Sequence, residues 1–191
     1  MLFALIALAV MMIGAAAMVR SMNTSLFNAG NLGFKRDLTN QAERAMNAVR
    51  TLVLTGPLAN EAQRQATDTA RNYSATMLAT NAQGLPTALV NDSNFSAAGS
   101  SGNDIAVTDQ AVTVRYLVDR MCANAGAADT NHCTMSDMST PAGGQAGGTA
   151  IAEESSVGGE GAIPRQTVYR VSIRVSGPRN TQAYFQTTFT L

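Results

Sequence analysis

The sequence has no excess charge of either sign, no tryptophan and a single histidine. Thirteen Lys and Arg residues balance thirteen Asp and Glu residues, so the chain has neither the basic footprint of a nucleic-acid-binding protein nor a polybasic cluster for anionic lipid. Aromatic residues make up 5% of the chain, whereas Ala, Thr, Ser, Asn and Gly are abundant. This composition is more typical of an extracellular domain with long loops than of a tightly packed enzyme.

Groups that perform catalysis are also scarce. The lone His132 lies in a polar segment between Asp129 and Asp137, and these acids lack the alternating oxygen ligands of a calcium loop. The glycine pairs at 143–144 and 147–148 lack the Lys-Ser/Thr pair of a phosphate-binding loop. We therefore expect no enzyme activity, no cofactor and no metal site.

Cysteine is limited to Cys122 and Cys133, in the stretch CANAGAADTNHC. A bond between them would close a loop of about a dozen residues, which stabilises a fold by roughly 3 kcal/mol in the chain-entropy model. Two free thiols are the alternative, and zinc is disfavoured because no second Cys or His pair exists. The spacing favours a disulfide, which implies an oxidising compartment such as the periplasm or the cell surface.

The one long apolar run is the first, MLFALIALAVMMIGAAAMVR, in which residues 1–19 are uncharged and Arg20 follows. It is longer than a signal-peptide core and has no basic segment before it, whereas ~20 apolar residues match the ~30 Å core of a bilayer. Its orientation is troublesome, because Arg20, Lys35 and Arg36 follow the run and the positive-inside rule places such residues in the cytoplasm. The conflict disappears if Met1 is the first residue of a processed protein whose basic leader has been removed.

The chain continues beyond this run as an amphipathic helix. Apolar residues recur at helical spacing, namely Leu38, Ala42, Ala45, Met46, Val49, Leu52 and Val53. Gly56-Pro57 ends the pattern, because proline lacks the amide donor and clashes with the preceding turn. The sequence thus predicts one helix over residues 1–54, with a hydrophobic half at 1–24 and an amphipathic half at 25–54.

This profile resembles that of type IV pilins, and residues 1–43 resemble the N-terminal segment of PilX-type minor pilins. The matching features are Arg20-Ser21 and the run Ala29-Gly30-Asn31-Leu32, and the C-terminal VYRVSIRVSGPRNTQAYFQTTFTL is similar to the family's closing hairpin. The resemblance implies an α+β type IV pilin fold, in which the long N-terminal helix packs against a small antiparallel sheet of three to four strands. It also implies cleavage by a prepilin peptidase and methylation of the new N-terminus, here Met1.

Two positions depart from the family's pattern. Major pilins have a glutamate at the fifth position and a proline at the twenty-second, whereas this chain has Leu5 and Met22. The family's acid neutralises the terminal amine of a neighbouring subunit, and subunits that lack it resemble tip components. Leu5 therefore favours a minor pilin at or near the tip. Without the proline, Gly14, Gly30 and Gly33 are the expected weak points of the helix.

The expected function is a structural subunit that primes filament assembly, anchored in the inner membrane with a periplasmic head and later part of an extracellular pilus. Expected partners are other major and minor pilins, the pilus assembly machinery, the prepilin peptidase and inner-membrane lipid, with no nucleic acid. Small side chains permit close approach of helices, so the expected filament-core contacts are Leu5, Gly14, Ala15, Ala16 and Ala17.

Alternatives remain open at this stage. They are a repeating filament subunit, a pseudopilin of a type II secretion system, and a single-span periplasmic protein that binds a ligand or acts as a sensor. An adhesive role of the Gly-rich segment is a further possibility, although its sequence names no ligand.

The head, residues 55–191, has its own pattern of predicted elements. We predict a second amphipathic helix at about 59–79, a strand at 112–118 with its apolar face on the even positions, a disulfide loop at 122–133, a mobile Gly-rich loop at 134–164 and a hairpin at 166–191.

The register of that hairpin follows from its apolar residues. They occupy odd positions in both strands: Tyr169, Val171, Ile173 and Val175 in the first, and Ala183, Phe185, Phe189 and Leu191 in the second. Opposed residues share a face of a sheet, so the turn must have an odd number of residues, such as the three of 177–179. A turn of two or four residues would refute this prediction.

Overall fold

The computed structural model describes residues 2–136 and 165–191, which form an α+β fold. The chain divides into two compact units, Met1–Gln41 and Ala42–Leu191. The first element, helix α1, extends from Leu2 to Leu54 and has 53 residues. The long N-terminal helix predicted from the sequence is therefore confirmed.

Helix α1 is unbroken at each of its predicted weak points, Gly14, Gly30 and Gly33. Ala, Leu and Met, which are among the strongest helix formers, dominate the residues around the first of these glycines. Their propensity offsets the entropic cost of about 1 kcal/mol that each glycine adds to a helix interior.

The end of α1 depends on a glycine that no other residue could replace without a shift of backbone. The amides of Thr55 and Gly56 both donate to the carbonyl of Thr51, at 3.1 and 2.8 Å, and the amide of Leu58 donates to the carbonyl of Leu52 at 3.1 Å. A Cβ on Gly56 would lie 2.9 Å from backbone atoms of Leu52. Pro57 follows and cannot continue the helix, so the predicted stop at Gly56-Pro57 is confirmed.

In the second unit, α1 contributes a buried stripe to the core. Ala42, Ala45, Val49 and Val53 are buried, with spacings of three and four residues that place them on one face of the helix. The face packs with the sheet of the head. The predicted stripe is thus confirmed for these residues and for the buried Leu38, whereas Met46 and Leu52 are half-buried.

The sheet has six strands within the described residues: β1 (Tyr73–Ser74), β2 (Ile105–Val107), β3 (Val112–Arg120), β4 (Met135–Ser136), β5 (Gln166–Ser176) and β6 (Gln182–Thr190). Strands β3 and β5 form its antiparallel centre, and β6 pairs with the other side of β5. β2 and β4 pair antiparallel with β3 and β5, whereas β1 pairs parallel with β3. The sequence predicted an antiparallel sheet of three to four strands, and both the strand number and the all-antiparallel arrangement were wrong. The additional strands β1, β2 and β4 are too short to have a detectable sequence period.

Both faces of the central strands are covered. On the face that is even-numbered in β3, Val112, Val114 and Val118 are buried, as predicted, together with Tyr116. The opposite face lies under residues 78–104, where Leu89, Phe95 and Ala98 form a hydrophobic cluster with Leu117 of β3. This covering segment contains the short helices α3 (Thr87–Val90) and α4 (Asp92–Phe95).

The hairpin of β5 and β6 has the predicted register parity. Tyr169 pairs with Phe189, Ile173 with Phe185, and Val175 with Ala183, so the apolar residues of the two strands share one face. The connection between Ser176 and Gln182 has five residues rather than the suggested three, because Pro178–Asn180 form a turn of 3-10 helix. Odd length is confirmed, and the suggested length was wrong.

The predicted helix at 59–79 was wrong. Only α2 (Glu61–Arg64) is α-helical there, and a 3-10 turn at Thr69–Arg71 and strand β1 follow. Asn72, at φ 58°, is in the left-handed region that interrupts any helix. The buried Arg64 donates to the carbonyls of Leu58 and Ala59, both at 2.8 Å, and to the Tyr169 hydroxyl of β5 at 3.1 Å. The contact with Tyr169 is tertiary, and such contacts override a local helical period.

The predicted Gly-rich loop, 134–164, was wrong at its start. Met135 and Ser136 form strand β4 against β5. The remainder, with Asp137 and both glycine pairs, lies outside the described residues, as does Met1.

Candidate assembly interface

Helix α1 exposes nearly all of the large hydrophobic side chains that reach the surface of the described chain. Sixteen of the eighteen such side chains belong to it, and the other two are Met77 and Val90. Within residues 2–27, Phe3 is 88% exposed and Leu5 is 69% exposed. Soluble monomers rarely expose apolar patches of more than a few hundred Å², so this surface has to be covered by lipid or by protein.

The predicted contact residues all lie on this exposed surface. Leu5 and Ala15–Ala17 are exposed, and a Cβ built on Gly14 meets no heavy atom within 4 Å. Consecutive residues are about 100° apart at 3.6 residues per turn, so Gly14 and the three alanines span about 300° and encircle the helix rather than form one stripe. A neighbouring helix could therefore approach closely from any side at this level.

Charge is nearly absent from the same surface. Arg20 is the only charged side chain from Leu2 to Phe34, and the first acid is Asp37. α1 is the one helix in the described chain that is long and apolar enough to cross a membrane. Its chemistry suits an apolar environment of either kind, lipid tails or a bundle of helices.

The head is held together by a set of buried arginines that sequence reasoning missed. Arg170 pairs with the fully buried Asp119, to which its Nε donates at 3.0 Å. Asp119 also accepts from the amide of Leu78 at 2.9 Å, and Arg170 donates to the carbonyl of Leu78 at 3.2 Å. The pair thereby ties the start of the covering segment to the sheet.

Two further arginines of the same face hold the middle of the covering segment. Arg174 donates to the carbonyl of Leu89 at 3.0 Å and pairs with Asp92. Arg115 pairs with Asp92 at 2.6 Å and with Asp104 at 2.5 Å, and its guanidinium lies 4.2 Å from the centre of the Phe95 ring. The hydrogen bond from Arg174 holds the pKa of the Asp92 carboxyl below its usual range, and the bonds to Asp104 raise the pKa of Arg115.

The strands give a partial signal for this arrangement. Arg170 and Arg174 alternate with apolar residues in β5, as on a solvated face, and neither acidic partner lies near them in sequence. One signal was available: Asp92 and Asp104 lie in a loop region rich in Ser and Asn. These acids could serve as counter-charges if that loop covers the arginines.

The opposite face has its own arginine contacts. Arg64 Nε donates to the Tyr169 hydroxyl at 3.1 Å, and the Tyr73 hydroxyl donates to the carbonyl of Arg64 at 2.6 Å. Burial raises the pKa of Tyr73 well above its usual range. Arg120 is fully buried and donates to the carbonyls of Ala75, Asn124 and Gly126.

The predicted disulfide between Cys122 and Cys133 is present, and no free cysteine occurs in the described residues. The loop that it closes is anchored at several points. The amide of Gly126 donates to the carbonyl of Gln65 at 2.9 Å, and the amide of Ala123 donates to the carbonyl of His132 at 2.7 Å. The bond therefore fixes a loop that packs on the rest of the head.

His132 lies at the surface of this loop, half-exposed, with Nδ1 at 3.0 Å from the carboxylate of Asp129. The hydrogen bond from the imidazole lowers the pKa of Asp129. Within residues 2–136 and 165–191, no three His, Cys, Asp or Glu side chains are grouped as metal ligands. The pair can cap the turn at 129–132, where Asp129 also accepts from two backbone amides.

A shallow groove lies beside the covering segment. Its lining includes Thr69, Phe95, Ser100 and Arg115. Arg115 is already paired with two acids, Asp92 and Asp104. The groove therefore offers hydroxyl groups and one aromatic ring to solvent.

Comparisons of the chain with protein-family models, with characterised proteins and with solved structures return no match. The geometry of α1 and of the head therefore carries the functional argument.

Proposed function

We propose that this chain is a structural subunit of a type IV pilus, a minor pilin at or near the tip that primes filament assembly. The observation that supports it most is α1, a single helix whose first half is apolar and exposed on all sides and whose C-terminal residues 42–54 belong to the core of an α+β head.

A helix of this kind can exchange one apolar environment for another. Lipid tails are as apolar as leucine side chains, so helices associate within a membrane through close packing rather than through hydrophobic burial. Gly14 and Ala15–Ala17 provide small side chains around the helix, at which neighbouring helices can approach. Transfer from the inner membrane to the core of a filament then costs little.

Leu5 supports a position at the tip. In the family that the sequence resembles, an acid at this position meets the terminal amine of a neighbouring subunit. Here the exposed residue is leucine, and no acid precedes Asp37. An unpaired charge in an apolar filament core costs several kcal/mol, so this chain is poorly suited to a repeating position and better suited to one where no such amine follows.

The head supports a location outside the cytoplasm, the periplasm before assembly and the cell surface afterwards. Its disulfide is typical of oxidising compartments. A pseudopilin would share the same helix and head, and is distinguished by the apparatus with which it assembles.

The tip position can be tested by counting copies. Filaments are sheared from cells, separated into short and long fractions, and the chain is quantified against the repeating subunit by mass spectrometry. The ratio of a tip subunit to the repeating subunit is inversely proportional to filament length, whereas the ratio for a shaft subunit is the same in both fractions. Absence from every filament fraction, with the chain retained in the membrane, would support the single-span alternative.

A further inference from the structure

Arg20 is a single positive charge within the exposed apolar surface of α1. It is the only charged side chain from Leu2 to Phe34, and it is itself exposed. Large hydrophobic side chains before and after it are all more than half exposed: Met18, Val19, Met22, Leu26, Phe27 and Leu32. A molecule that covers this surface therefore also meets a cation.

The apolar surface includes the side of the helix on which Arg20 lies. Seven residues turn a helix through about 700°, so positions seven residues away lie within about 20° of Arg20 around the axis. Ile13 and Phe27 occupy these two positions and are 71% and 75% exposed. Thr24, one turn further on, carries no charge and donates its hydroxyl to the carbonyl of Arg20 at 3.1 Å.

Lipid covers only part of this surface. Residues 2–32 of α1 extend over about 46 Å at ~1.5 Å per residue, whereas the hydrocarbon core of a bilayer is ~30 Å thick. When the uncharged run before Arg20 occupies the bilayer, Arg20 lies at the level of the headgroups. Met22, Leu26 and Phe27 then lie beyond the hydrocarbon core, so protein has to cover them.

A protein that covers both sides of Arg20 has to supply a negative charge. A guanidinium stays protonated in proteins, so it cannot escape burial by losing its proton. A buried charge is tolerated when it is paired, and a carboxylate matches the guanidinium in charge and in planar geometry. The covering surface must therefore carry an Asp or Glu side chain at the level of Arg20.

A second copy of the chain does not supply this carboxylate readily. Two copies in the same register bring their Arg20 side chains together, and like charges repel. The first acid of the chain is Asp37, 17 residues after Arg20, which is about 26 Å along a helix. A second copy would have to be displaced by that distance, whereas a different subunit with an acid in its own apolar run has no such restriction.

We propose that the surface of α1 around Arg20 is the docking site for an apolar helix of a different subunit, which pairs an Asp or Glu side chain with Arg20. This inference rests on the proposed function, because it names the partner surface of a subunit that assembles with others.

Substitutions of Arg20 test the pairing in cells that express the full chain. Arg20→Leu removes the charge and suits apolar surroundings, Arg20→Lys keeps the charge, and Lys35→Leu is the matched control because it removes a cation from an exposed position further along α1. Immunoblots measure the chain in the membrane fraction and in sheared filaments. We expect Arg20→Leu to reach the membrane normally and to enter filaments about tenfold less or worse, because the partner's acid is left uncompensated. Arg20→Lys and Lys35→Leu should enter filaments nearly as well as the wild type.

Suppressor selection identifies the partner. Arg20→Glu brings two acids together, and we expect it to stay out of filaments to at least the same extent. Restored incorporation should then come from replacement of an acid by Lys or Arg in the apolar helix of another subunit. Suppression by a change at Asp37 of this chain would instead identify a second copy as the occupant, and the stated partner would be wrong.

The remaining outcomes separate this inference from the proposed function. If the wild-type chain enters filaments and Arg20→Leu enters equally well, or if Arg20→Lys fails as badly as Arg20→Leu, the charge pairing is wrong and the pilus function stands. If Arg20→Leu is lost from the membrane fraction too, Arg20 serves the lipid headgroups and the stated partner is wrong. If the wild-type chain enters no filament, the proposed function itself fails.

Discussion

At the scale of single residues, the ion pair of Asp119 and Arg170 is the contact on which the covering segment depends most. Asp119 is fully buried and its carboxylate serves both Arg170 and the amide of Leu78. Removal of one member of a buried pair is far costlier than its net contribution, because the other charge stays buried without a counter-charge.

We expect Asp119→Asn to lower the free energy of unfolding by about 3–5 kcal/mol, because the neutral amide leaves Arg170 uncompensated. Thermal unfolding of the full chain in detergent, followed by circular dichroism, measures the change. Asp109→Asn, at an exposed position, is the control and should change little. Equal losses in the two variants would contradict the assigned role.

Asp92 makes the stability of the fold depend on pH. Its folded-state pKa lies below the ordinary value of 3.8, chiefly because Arg174 donates a hydrogen bond to it. A depressed carboxyl pKa contributes stability that is complete above the unfolded-state pKa and is lost as the pH falls through the folded-state pKa. Stability from this group is therefore lost only below about pH 4.

The difference in melting temperature between wild type and Asp92→Asn should accordingly be constant at neutral pH and shrink as the pH falls below about 4. Because Asp92 is largely exposed, solvent screens the pairs and the difference should be smaller than for Asp119→Asn. A difference that grows on acidification would have the wrong sign and refute this assignment.

Residue-scale features were the hardest to predict. The pairing of Cys122 with Cys133 was accessible, because it needs only two residues and their spacing. The partners of Arg170 and Arg174 lie 51 and 82 residues away in sequence, and local alternation cannot distinguish a solvated face from one covered by a distant loop.

At the scale of elements, long periodic segments were predicted well and short ones poorly. α1, β3 and the β5–β6 hairpin have apolar patterns that extend over nine residues or more. The segment 59–79 has a helical pattern as well, yet the buried Arg64 and the left-handed Asn72 redirect it. Tertiary contacts of that kind leave no local signal.

The disulfide loop gives a prediction at this scale. Replacement of both Cys122 and Cys133 by serine should lower the free energy of unfolding by about 2–4 kcal/mol, since an unconstrained loop gains entropy in the unfolded chain. Unfolding with and without a reductant checks it. On reduction, the free energy of unfolding of the wild type should fall to that of the double variant. If neither the replacement nor the reduction lowers this free energy, a stabilising role of the disulfide is contradicted.

Helix α1 gives a second prediction at the scale of elements. Gly14→Leu should leave the melting temperature of the head unchanged, because a Cβ there meets no heavy atom within 4 Å. It should reduce incorporation into filaments several-fold, because a large side chain prevents close helix approach. Leu8→Met, which keeps the volume at a neighbouring exposed position, is the control. Normal incorporation of Gly14→Leu would argue against close packing at this level.

At the scale of the whole molecule, the chain combines an apolar helix with a head that exposes few large hydrophobic side chains within the described residues. Met77 and Val90 are the large hydrophobic side chains exposed outside α1 in the described residues. The α+β class and this division could be predicted from sequence, since both follow from the change in hydrophobic period after residue 24. The strand count could not, because it depends on which short segments pair with the long strands.

The central claim is that α1 moves from the membrane into a filament without being cleaved. The intact mass of the chain in filaments sheared from the cell surface tests this most directly. The account predicts that the chain is present there with residues 2–35 retained. Recovery from the membrane fraction alone, or in filaments only as a fragment that lacks the apolar half of α1, would contradict it.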